Sequence, residues 1–363
     1  MGRIRALIVD DSAFMRKMVG DILSRSDKIE VVGTARNGQE ALDKLEALAP
    51  HVITLDVEMP VMDGIETLRR VMEVRPTPIV MLSSLTEEGA EVTLRALHMG
   101  AVDFIHKPSG AISLDIEKVS DDIISTVEAA AGSNMSSLAR RPLAGPKPVS
   151  PPPPAAPAAP RPAPHADGTG HRAVVVIGTS TGGPRALQEV IPRLPADLEA
   201  PVVVVQHMPP KFTKSLAERL DMLSAVEVRE ARDGDPIRAG TVLLAPGGRH
   251  MRIGDGHKIV LSDEPPLWGV RPAADLLIES VAQRYGAGAV GVIMTGMGHD
   301  GARAMQYLRE HGGSTIAESE ETCVIYGMPR AVVEAGAADE VVPLQRIAER
   351  IVRLVRERAA KVR

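Results

Sequence analysis

The sequence predicts an α/β protein with two doubly wound, mostly parallel-sheet domains joined by a proline-rich linker. Three observations support this prediction. Short apolar runs alternate with helical patterns over the first third of the chain, the alternation resumes after residue 172, and eleven prolines lie between Arg140 and Arg172. Such alternation is typical of parallel sheets covered on both faces. We therefore expect domains over 1–125 and 173–363, with a linker over 126–172.

Composition indicates the class of protein before any motif is considered. The chain has 363 residues, a formal net charge of −5 and a single cysteine, Cys323. This length fits two domains, and one cysteine excludes an internal disulfide, which fits a reducing compartment. Basic residues are scattered, whereas nucleic-acid-binding proteins concentrate them. The first apolar run is too short for a signal sequence or a membrane span. We expect a cytoplasmic protein with no nucleic-acid binding and no direct membrane insertion.

The first domain is predicted to contain five strands whose carboxyl ends carry polar residues. The strands are IRALIVD, IEVVGTA, HVITLDV, TPIVMLSS and VDFIHK. Asp10 and Asp11 follow the first strand, Asp56 follows the third, Ser83 the fourth and Lys107 the fifth. Three carboxylates at one sheet edge repel each other unless a cation lies among them, and oxygen ligands suit Mg²⁺. A hydroxyl and a lysine can stabilise a phosphoryl group there, so the pattern predicts phosphoryl transfer onto a carboxylate.

These motifs resemble a known family. A single aspartate is well explained as a helix cap, but five matching residue types at the strand ends are not. VDDS, LDVEMPVMDG, LSS and HKP resemble the response-regulator receiver family from residue 3 to about 125. The resemblance implies a flavodoxin-like fold in which Asp56 is phosphorylated and Asp10, Asp11 and Asp56 bind Mg²⁺.

The resemblance also assigns roles to other residues of this domain. Ser83 contacts the phosphoryl group, Lys107 forms an ion pair with it, and Phe104 occupies the position of the family's switch aromatic. The phosphodonor implied is a histidine kinase. Because a receiver is an input domain, the output must lie beyond the linker. Proline fixes φ and lacks an N–H, so the linker is expected to be an extended spacer.

The second domain is predicted to alternate strands and helices in the same way. Its strands are AVVVIGT, PVVVVQH, AVGVIMTG, GSTIAES and DEVVPL. Residues 226–261 are richer in turns and are predicted to form a hairpin-like antiparallel portion. The loop GTSTGGP follows the first strand and opens a helix, a shape that suits either phosphate binding or a nucleophile on a sharp turn.

The residues of this loop favour the nucleophile. A P-loop requires a lysine after its last glycine, and a dinucleotide fingerprint requires G-x-G-x-x-G; neither is present. The pattern G-x-S-x-G is present, with Ser180 at its centre. A serine nucleophile needs a base and an orienting acid. His207 ends the next strand and Asp300 lies in IMTGMGHDG after another strand, so we expect all three at one sheet edge.

The other candidates in this domain are given different roles. His299 adjoins Asp300 on a turn and is expected to face solvent, while His250 and His257 are expected in loops. The sequence contains neither an H-E-x-x-H motif nor a cysteine cluster, the usual signs of a zinc site, so we expect no cofactor in this domain. The glycine-rich TGMG would let a backbone N–H face a developing oxyanion, and the candidate is the N–H of Met297. The chain order Ser, His, Asp differs from that of α/β-hydrolases.

Five motifs then identify a second resemblance. IGTSTGGP, QHMPPKFTKSLAERL, LAPGGRHM, MTGMGHDGA and YGMPRAV closely resemble the effector domain of the CheB chemotaxis methylesterase family. The resemblance implies a Rossmann-like catalytic domain with Ser180 as nucleophile, His207 as general base and Asp300 as orienting acid. The implied substrates are γ-glutamyl methyl esters, and certain glutamines, on the cytoplasmic signalling helices of methyl-accepting chemoreceptors. The linker is longer and richer in proline than this family leads us to expect.

Two other functions compete with a phosphorylation-controlled hydrolase. A receiver-controlled binding module, such as a transcription factor, would need a helix-turn-helix or a basic recognition helix beyond residue 172, and the sequence shows neither. A nucleotide-binding domain would need the glycine fingerprint and an acidic partner for ribose. The sequence therefore predicts a hydrolase.

Overall fold

The computed structural model describes residues 2–83, 86–107, 116–136 and 173–361. The chain divides into two compact units, Met1–Arg140 and Arg141–Arg363. Pro108 of the HKP motif and the proline-rich part of the predicted linker lie outside the described residues. The last described helix of the first unit continues past residue 125 to Ala131.

The first unit is a five-stranded parallel sheet flanked by helices, as predicted. The strand order is β2-β1-β3-β4-β5, so the first and third strands are adjacent. Three helices begin at the side chains of Ser12, Asn37 and Asp63, each of which accepts a backbone N–H of the first turn. The elements are β1 Ile4–Val9, α1 Ala13–Leu23, β2 Ile29–Ala35, α2 Gly38–Leu48, β3 Val52–Asp56, α3 Gly64–Val74, β4 Ile79–Ser83, α4 Glu87–Met99, β5 Asp103–His106 and α5 Ile116–Ala131.

The second unit is built on a seven-stranded parallel sheet with a separate antiparallel hairpin. The strand order is β14-β13-β12-β6-β7-β9-β8, and β10 pairs with β11. The elements are β6 Val174–Thr179, α6 Gly183–Val190, β7 Val202–Gln206, α7 Phe212–Leu223, β8 Glu227–Glu230, β9 Thr241–Leu244, β10 His250–Ile253, β11 Ile259–Ser262, α8 Ala274–Tyr285, β12 Ala289–Ile293, α9 Ala302–Glu310, β13 Ser314–Glu318, α10 Met328–Glu334, β14 Glu340–Val342 and α11 Leu344–Lys361; two short 3₁₀ turns follow α6 and α8.

The turn-rich segment 226–261 is only partly antiparallel. The prediction is confirmed for β10 and β11 but is wrong for β8 and β9, which pair in parallel and extend the main sheet. Residues 231–240 connect these two strands and return the chain to the same end of the sheet, as a parallel pair requires.

The central strands explain where the polar residues collect. Every residue of β6, β7 and β12 is buried, as expected for strands covered on both faces. Reactive side chains at a sheet edge must therefore follow these strands rather than lie within them. Among the described residues, no helix is both long and apolar enough to cross a membrane.

Candidate active site and phosphoryl-acceptor site

The register of three neighbouring strands brings Ser180, His207 and Asp300 to one sheet edge. Ser180 and His207 directly follow Thr179 and Gln206, which are Cα partners in the pairing of β6 with β7. The N–H of His207 donates to the carbonyl oxygen of Thr179 at 3.1 Å. Asp300 lies in the loop after β12, the other neighbour of β6. The predicted residues therefore gather around the end of β6.

The backbone around Ser180 is fixed by hydrogen bonds. Its N–H donates to the Thr295 carbonyl at 3.0 Å, and its carbonyl accepts the N–H of Gly183 at 2.7 Å and the side-chain amide of Gln206 at 3.0 Å. A Cβ at Gly183 would lie 2.0 Å from Oε1 of Gln206, which explains the glycine. Within the described residues, no hydrogen bond reaches the Ser180 hydroxyl, so the side chain is fixed only at its backbone.

His207 and Asp300 form a nearly buried hydrogen-bonded pair. Nε2 of His207 donates to Oδ2 of Asp300 at 2.8 Å, and their side chains are only 10% and 4% exposed. Asp300 also accepts the N–H groups of Ala274 and Asp275, at 2.6 and 2.9 Å, at the start of α8. The positive end of that helix favours a carboxylate.

The ionisation of Asp300 determines which nitrogen of His207 can act as a base. Burial raises the pKa of Asp300, but the hydrogen bond and charge of His207 and the N–H groups of Asp275 and Ala274 outweigh it. The pKa of Asp300 is therefore lowered, and the carboxylate can only accept hydrogen bonds. Nε2 of His207 then carries the proton, which leaves Nδ1 as the basic nitrogen.

The loop that carries Met297 lies against the Ser180 backbone. The carbonyl of Gly296 accepts the N–H groups of Gly327 and Met328, at 3.1 and 2.8 Å. A Cβ at Gly296 would lie 2.8 Å from Cβ of Ser180, so the two loops touch. Across the described part of the chain, the N–H of Met297 has no hydrogen-bond partner. Its role as an oxyanion donor stays a prediction.

The three other histidines considered in the sequence, His250, His257 and His299, differ in burial. His299 is exposed, as predicted, and its ring meets Trp268 edge-on with centroids 4.7 Å apart. His257 lies in the loop between β10 and β11, also as predicted. The prediction for His250 is wrong, because this residue begins β10 and is fully buried. The imidazole is satisfied on both nitrogens, by the Pro265 carbonyl and the N–H of Ala273.

Asp275 belongs to this site but was not found from the sequence. It is 1% exposed, and its backbone N–H is one of the two that hold Asp300. Its carboxylate accepts Nε1 of Trp268 and the N–H of Ala304, both at 2.9 Å. The available signal was an acid in the first turn of a helix, which is too common to indicate a site.

The first unit brings its predicted acids together. Ligand atoms of Asp10, Asp11 and Asp56 lie within 4.8 Å of one another. Nζ of Lys107 lies 2.7 Å from Oδ1 of Asp56 and 3.2 Å from Oδ2 of Asp10. That Asp10 oxygen is buried, and Lys107 is its ion-pair partner. A buried carboxylate oxygen beside two further carboxylates fits a Mg²⁺ ion.

The surroundings of Asp56 explain its tight placement. Burial and the charge of Asp10 raise the pKa of Asp56, while Lys107 opposes them. A Cβ at Gly64 would lie 2.1 Å from the Asp56 carbonyl oxygen, so only glycine fits there. The Ser83 hydroxyl accepts a hydrogen bond from Thr93 at 2.7 Å, facing α4.

Ser83 and Phe104 lie on β4 and β5, and Lys107 directly follows β5. Lys107 N–H donates to the Ser83 carbonyl at 2.8 Å, which joins the ends of the two strands. Phe104 lies on β5 and is half-buried. The two predicted phosphoryl-contacting residues, Ser83 and Lys107, are therefore neighbours at the same edge as the acids.

Comparisons with known proteins cover both units. The response regulator receiver domain family matches residues 6–116, and the CheB methylesterase family matches residues 175–351. A protein-glutamate methylesterase/protein-glutamine glutaminase of Symbiobacterium thermophilum is 55% identical over 357 residues, which is 98% of each chain. The protein of that name from Bacillus subtilis is 49% identical over 98% of this chain and 99% of its own.

Solved structures agree with these matches. The Thermotoga maritima CheB methylesterase catalytic domain is 46% identical, with a TM-score of 0.50, and the match covers 50% of this chain and 98% of that one. The sequence relatives extend the likeness to almost the full length, receiver included. The chain therefore belongs to the CheB methylesterase family, as a response regulator in which a receiver domain precedes a protein-glutamate methylesterase/protein-glutamine glutaminase domain.

Proposed function

We propose that this chain is a phosphorylation-activated serine hydrolase for adaptation in chemotaxis. It cleaves γ-methyl esters of glutamate on chemoreceptors, releasing methanol, and deamidates certain glutamines there, releasing ammonia. The observation that carries the proposal is the buried His207–Asp300 pair beside Ser180 at the end of β6. The names of the relatives support the same activity.

In the proposed mechanism, the three residues act in sequence. Nδ1 of His207 takes the proton of the Ser180 hydroxyl while Oγ attacks the γ-carbonyl carbon. Asp300, charged and buried, stabilises the imidazolium that forms. The imidazolium then protonates the departing methanol or ammonia, which leaves an acyl-serine ester. Water, activated by His207 in the same way, hydrolyses that ester to glutamate.

The geometry around Ser180 fits this sequence in two respects. Its hydroxyl has no hydrogen bond within the described residues, so it is free to turn toward Nδ1 when a substrate binds. The N–H of Met297, on the loop that touches Ser180, is proposed to donate to the oxyanion of the tetrahedral intermediate.

The first unit is proposed to control this activity through phosphorylation. Asp56 attacks the phosphorus of a phosphohistidine on the phosphodonor, a chemotaxis histidine kinase; the P–N bond breaks and the histidine nitrogen leaves. Ser83 and Lys107 contact the phosphoryl oxygens. Asp10, Asp11 and Asp56 would hold Mg²⁺, whose charge offsets that of the phosphoryl group. Lys107 lies 2.7 Å from Asp56, which fits its proposed ion pair with the added phosphate.

The domain limits and the location follow the same proposal. The receiver is assigned to 1–125, the linker to 126–172 and the catalytic domain to 173–363. The last helix of the receiver runs on to Ala131. The catalytic domain is proposed to need no cofactor. We place the protein in the cytoplasm, because its proposed substrates are the cytoplasmic helices of receptors.

The direct test is methanol release from methylated receptor membranes, with and without acetyl phosphate and Mg²⁺. We expect wild-type chain to release methanol and the phosphodonor to increase the rate. Ser180→Ala should release none, and Asp56→Asn should retain only the unstimulated rate. Equal release by wild type and Ser180→Ala would contradict the proposed nucleophile. A phosphodonor effect that persists in Asp56→Asn would contradict the proposed control.

A further inference from the structure

Trp268 is an exposed aromatic side chain held in a fixed position. It is the only tryptophan of the chain and is 51% exposed. Its Nε1 donates to the buried carboxylate of Asp275 at 2.9 Å, and its ring meets His299 at 4.7 Å. Its φ is +56°, a conformation that costs a bulky residue free energy. The fold therefore keeps this side chain at the surface although the backbone conformation of Trp268 costs free energy.

The loop that carries Trp268, residues 265–273, is anchored at both ends. The buried imidazole of His250 donates from Nε2 to the Pro265 carbonyl at 3.1 Å and accepts the Ala273 N–H on Nδ1 at 3.2 Å. Within the loop, the Arg271 carbonyl accepts the N–H of Gly248 at 3.0 Å. Trp268 is therefore displayed by a braced loop.

The position of this loop connects Trp268 to the triad. Ala273 leads directly into Ala274, whose N–H binds Asp300. On the other side, His299 immediately precedes Asp300, and Met297, on the same loop, is 39% exposed. We call Met297, His299 and Trp268 the tryptophan rim. It borders the edge at which Ser180, His207 and Asp300 meet.

We propose that the tryptophan rim contacts the protein substrate, with Trp268 packing against the apolar side chains of the receptor helix next to the reactive glutamyl residue. This inference rests on the proposed function. A small ester needs only the triad, but a side chain on a helix brings neighbours three and four residues away. Because Nε1 of Trp268 is already bonded to Asp275, its exposed ring offers no further hydrogen-bond donor and contacts a partner through its aromatic face. An aliphatic helix face suits that surface, and covering a tryptophan is strongly favourable.

Fluorescence tests the contact directly, because Trp268 is the only tryptophan. The full-length Ser180→Ala chain is titrated with a tryptophan-free helical receptor fragment that carries a glutamate γ-methyl ester. We expect the emission maximum to move to shorter wavelength and to saturate with the fragment. Binding detected by calorimetry without a change in emission would overturn the proposal.

Kinetics separates docking from catalysis. Methanol release by the full chain, activated with acetyl phosphate and Mg²⁺, is measured with the receptor fragment and with N-acetylglutamate γ-methyl ester. Trp268→Ala should raise KM for the fragment by about tenfold or more, and change kcat/KM for the small ester by less than about twofold. Met222→Ala, which truncates a 78% exposed side chain on α7, is the matched control and should change neither.

A conservative variant covers the case in which Trp268→Ala does not fold. Trp268→Phe keeps an aromatic face and should keep KM for the fragment within about threefold of wild type. Equal losses on both substrates, no loss on either, or a loss in Trp268→Phe as large as in Trp268→Ala would overturn the proposal. Failure of wild type to hydrolyse either ester would instead contradict the proposed function.

Discussion

Glu318 is a fully buried carboxyl group whose replacement by glutamine should change how stability depends on pH. It ends β13; its Oε2 accepts the N–H of Thr295 at 2.8 Å and its Oε1 accepts the Thr322 hydroxyl at 2.9 Å. Burial raises the pKa of Glu318 to about 7, although these hydrogen bonds oppose the rise. Glutamine keeps an oxygen for Thr295 and an amide that can donate to Thr322, but it cannot ionise.

The direction of the effect follows from the raised pKa. The folded chain holds the Glu318 proton more tightly than the unfolded chain, whose pKa is the ordinary 4.5. This contribution to stability is complete below pH 4.5 and is lost as the pH rises through about 7. At ~1.4 kcal/mol per pH unit, the gap between the two pKa values corresponds to about 3 kcal/mol. Glu318→Gln should therefore gain up to about 3 kcal/mol on wild type between pH 4.5 and 8.

Chemical denaturation followed by tryptophan emission measures this difference in the second unit alone, because Trp268 is the only tryptophan. Free energies of unfolding are compared for wild type, Glu318→Gln and the control Glu199→Gln, an exposed glutamate. The control should follow wild type at every pH. A constant difference between wild type and Glu318→Gln, or a variant that loses stability relative to wild type as the pH rises, would refute the reasoning.

Four further predictions concern catalysis and phosphorylation. Ser180→Ala should lower kcat for methanol release by several orders of magnitude and change the free energy of unfolding by less than about 1 kcal/mol. His207→Ala should lower kcat by a comparable factor, whereas His299→Ala should lower it only mildly. The reverse order would show that His207 is not the base. Acetyl phosphate with Mg²⁺ should add one acid-stable, base-labile phosphoryl group, detected by mass spectrometry, and labelling that survives Asp56→Asn would place the acceptor elsewhere. Gly327→Ala should lower kcat about tenfold or more, because its Cβ would lie 2.6 Å from a backbone oxygen of the loop touching Ser180; an unchanged kcat would contradict this.

The sequence predicted the groups that depend on strand ends. Ser180, His207 and Asp56 each stand at or just after an apolar strand, and parallel strands bring such positions to one edge whatever lies between them. The five strands of the first unit and the five main strands of the second are also confirmed. These features are local, because hydrophobic periodicity and turn residues such as glycine and proline indicate them within short stretches of sequence.

Features that depend on contacts between distant segments were not predicted. The burial of His250 arises from Pro265 and Ala273, which close over it from another part of the chain. Strands β8 and β9 join the main sheet in the order β7-β9-β8, which reverses their order in the chain. Asp275 and Glu318 are single acids whose importance comes only from the donors that the fold places around them.

The first turn of α8 links the proposed substrate contact to the proposed catalytic residues. Two N–H groups there, of Ala274 and Asp275, hold Asp300 in the position that leaves Nδ1 of His207 as the proposed base. The Asp275 side chain holds Trp268, and the loop that carries Trp268 ends where α8 begins. A helix N-terminus stabilises a buried carboxylate only while its N–H groups keep their direction. The bracing of the loop by His250 therefore serves both ends, because it keeps Trp268 exposed and keeps the start of α8 directed at Asp300.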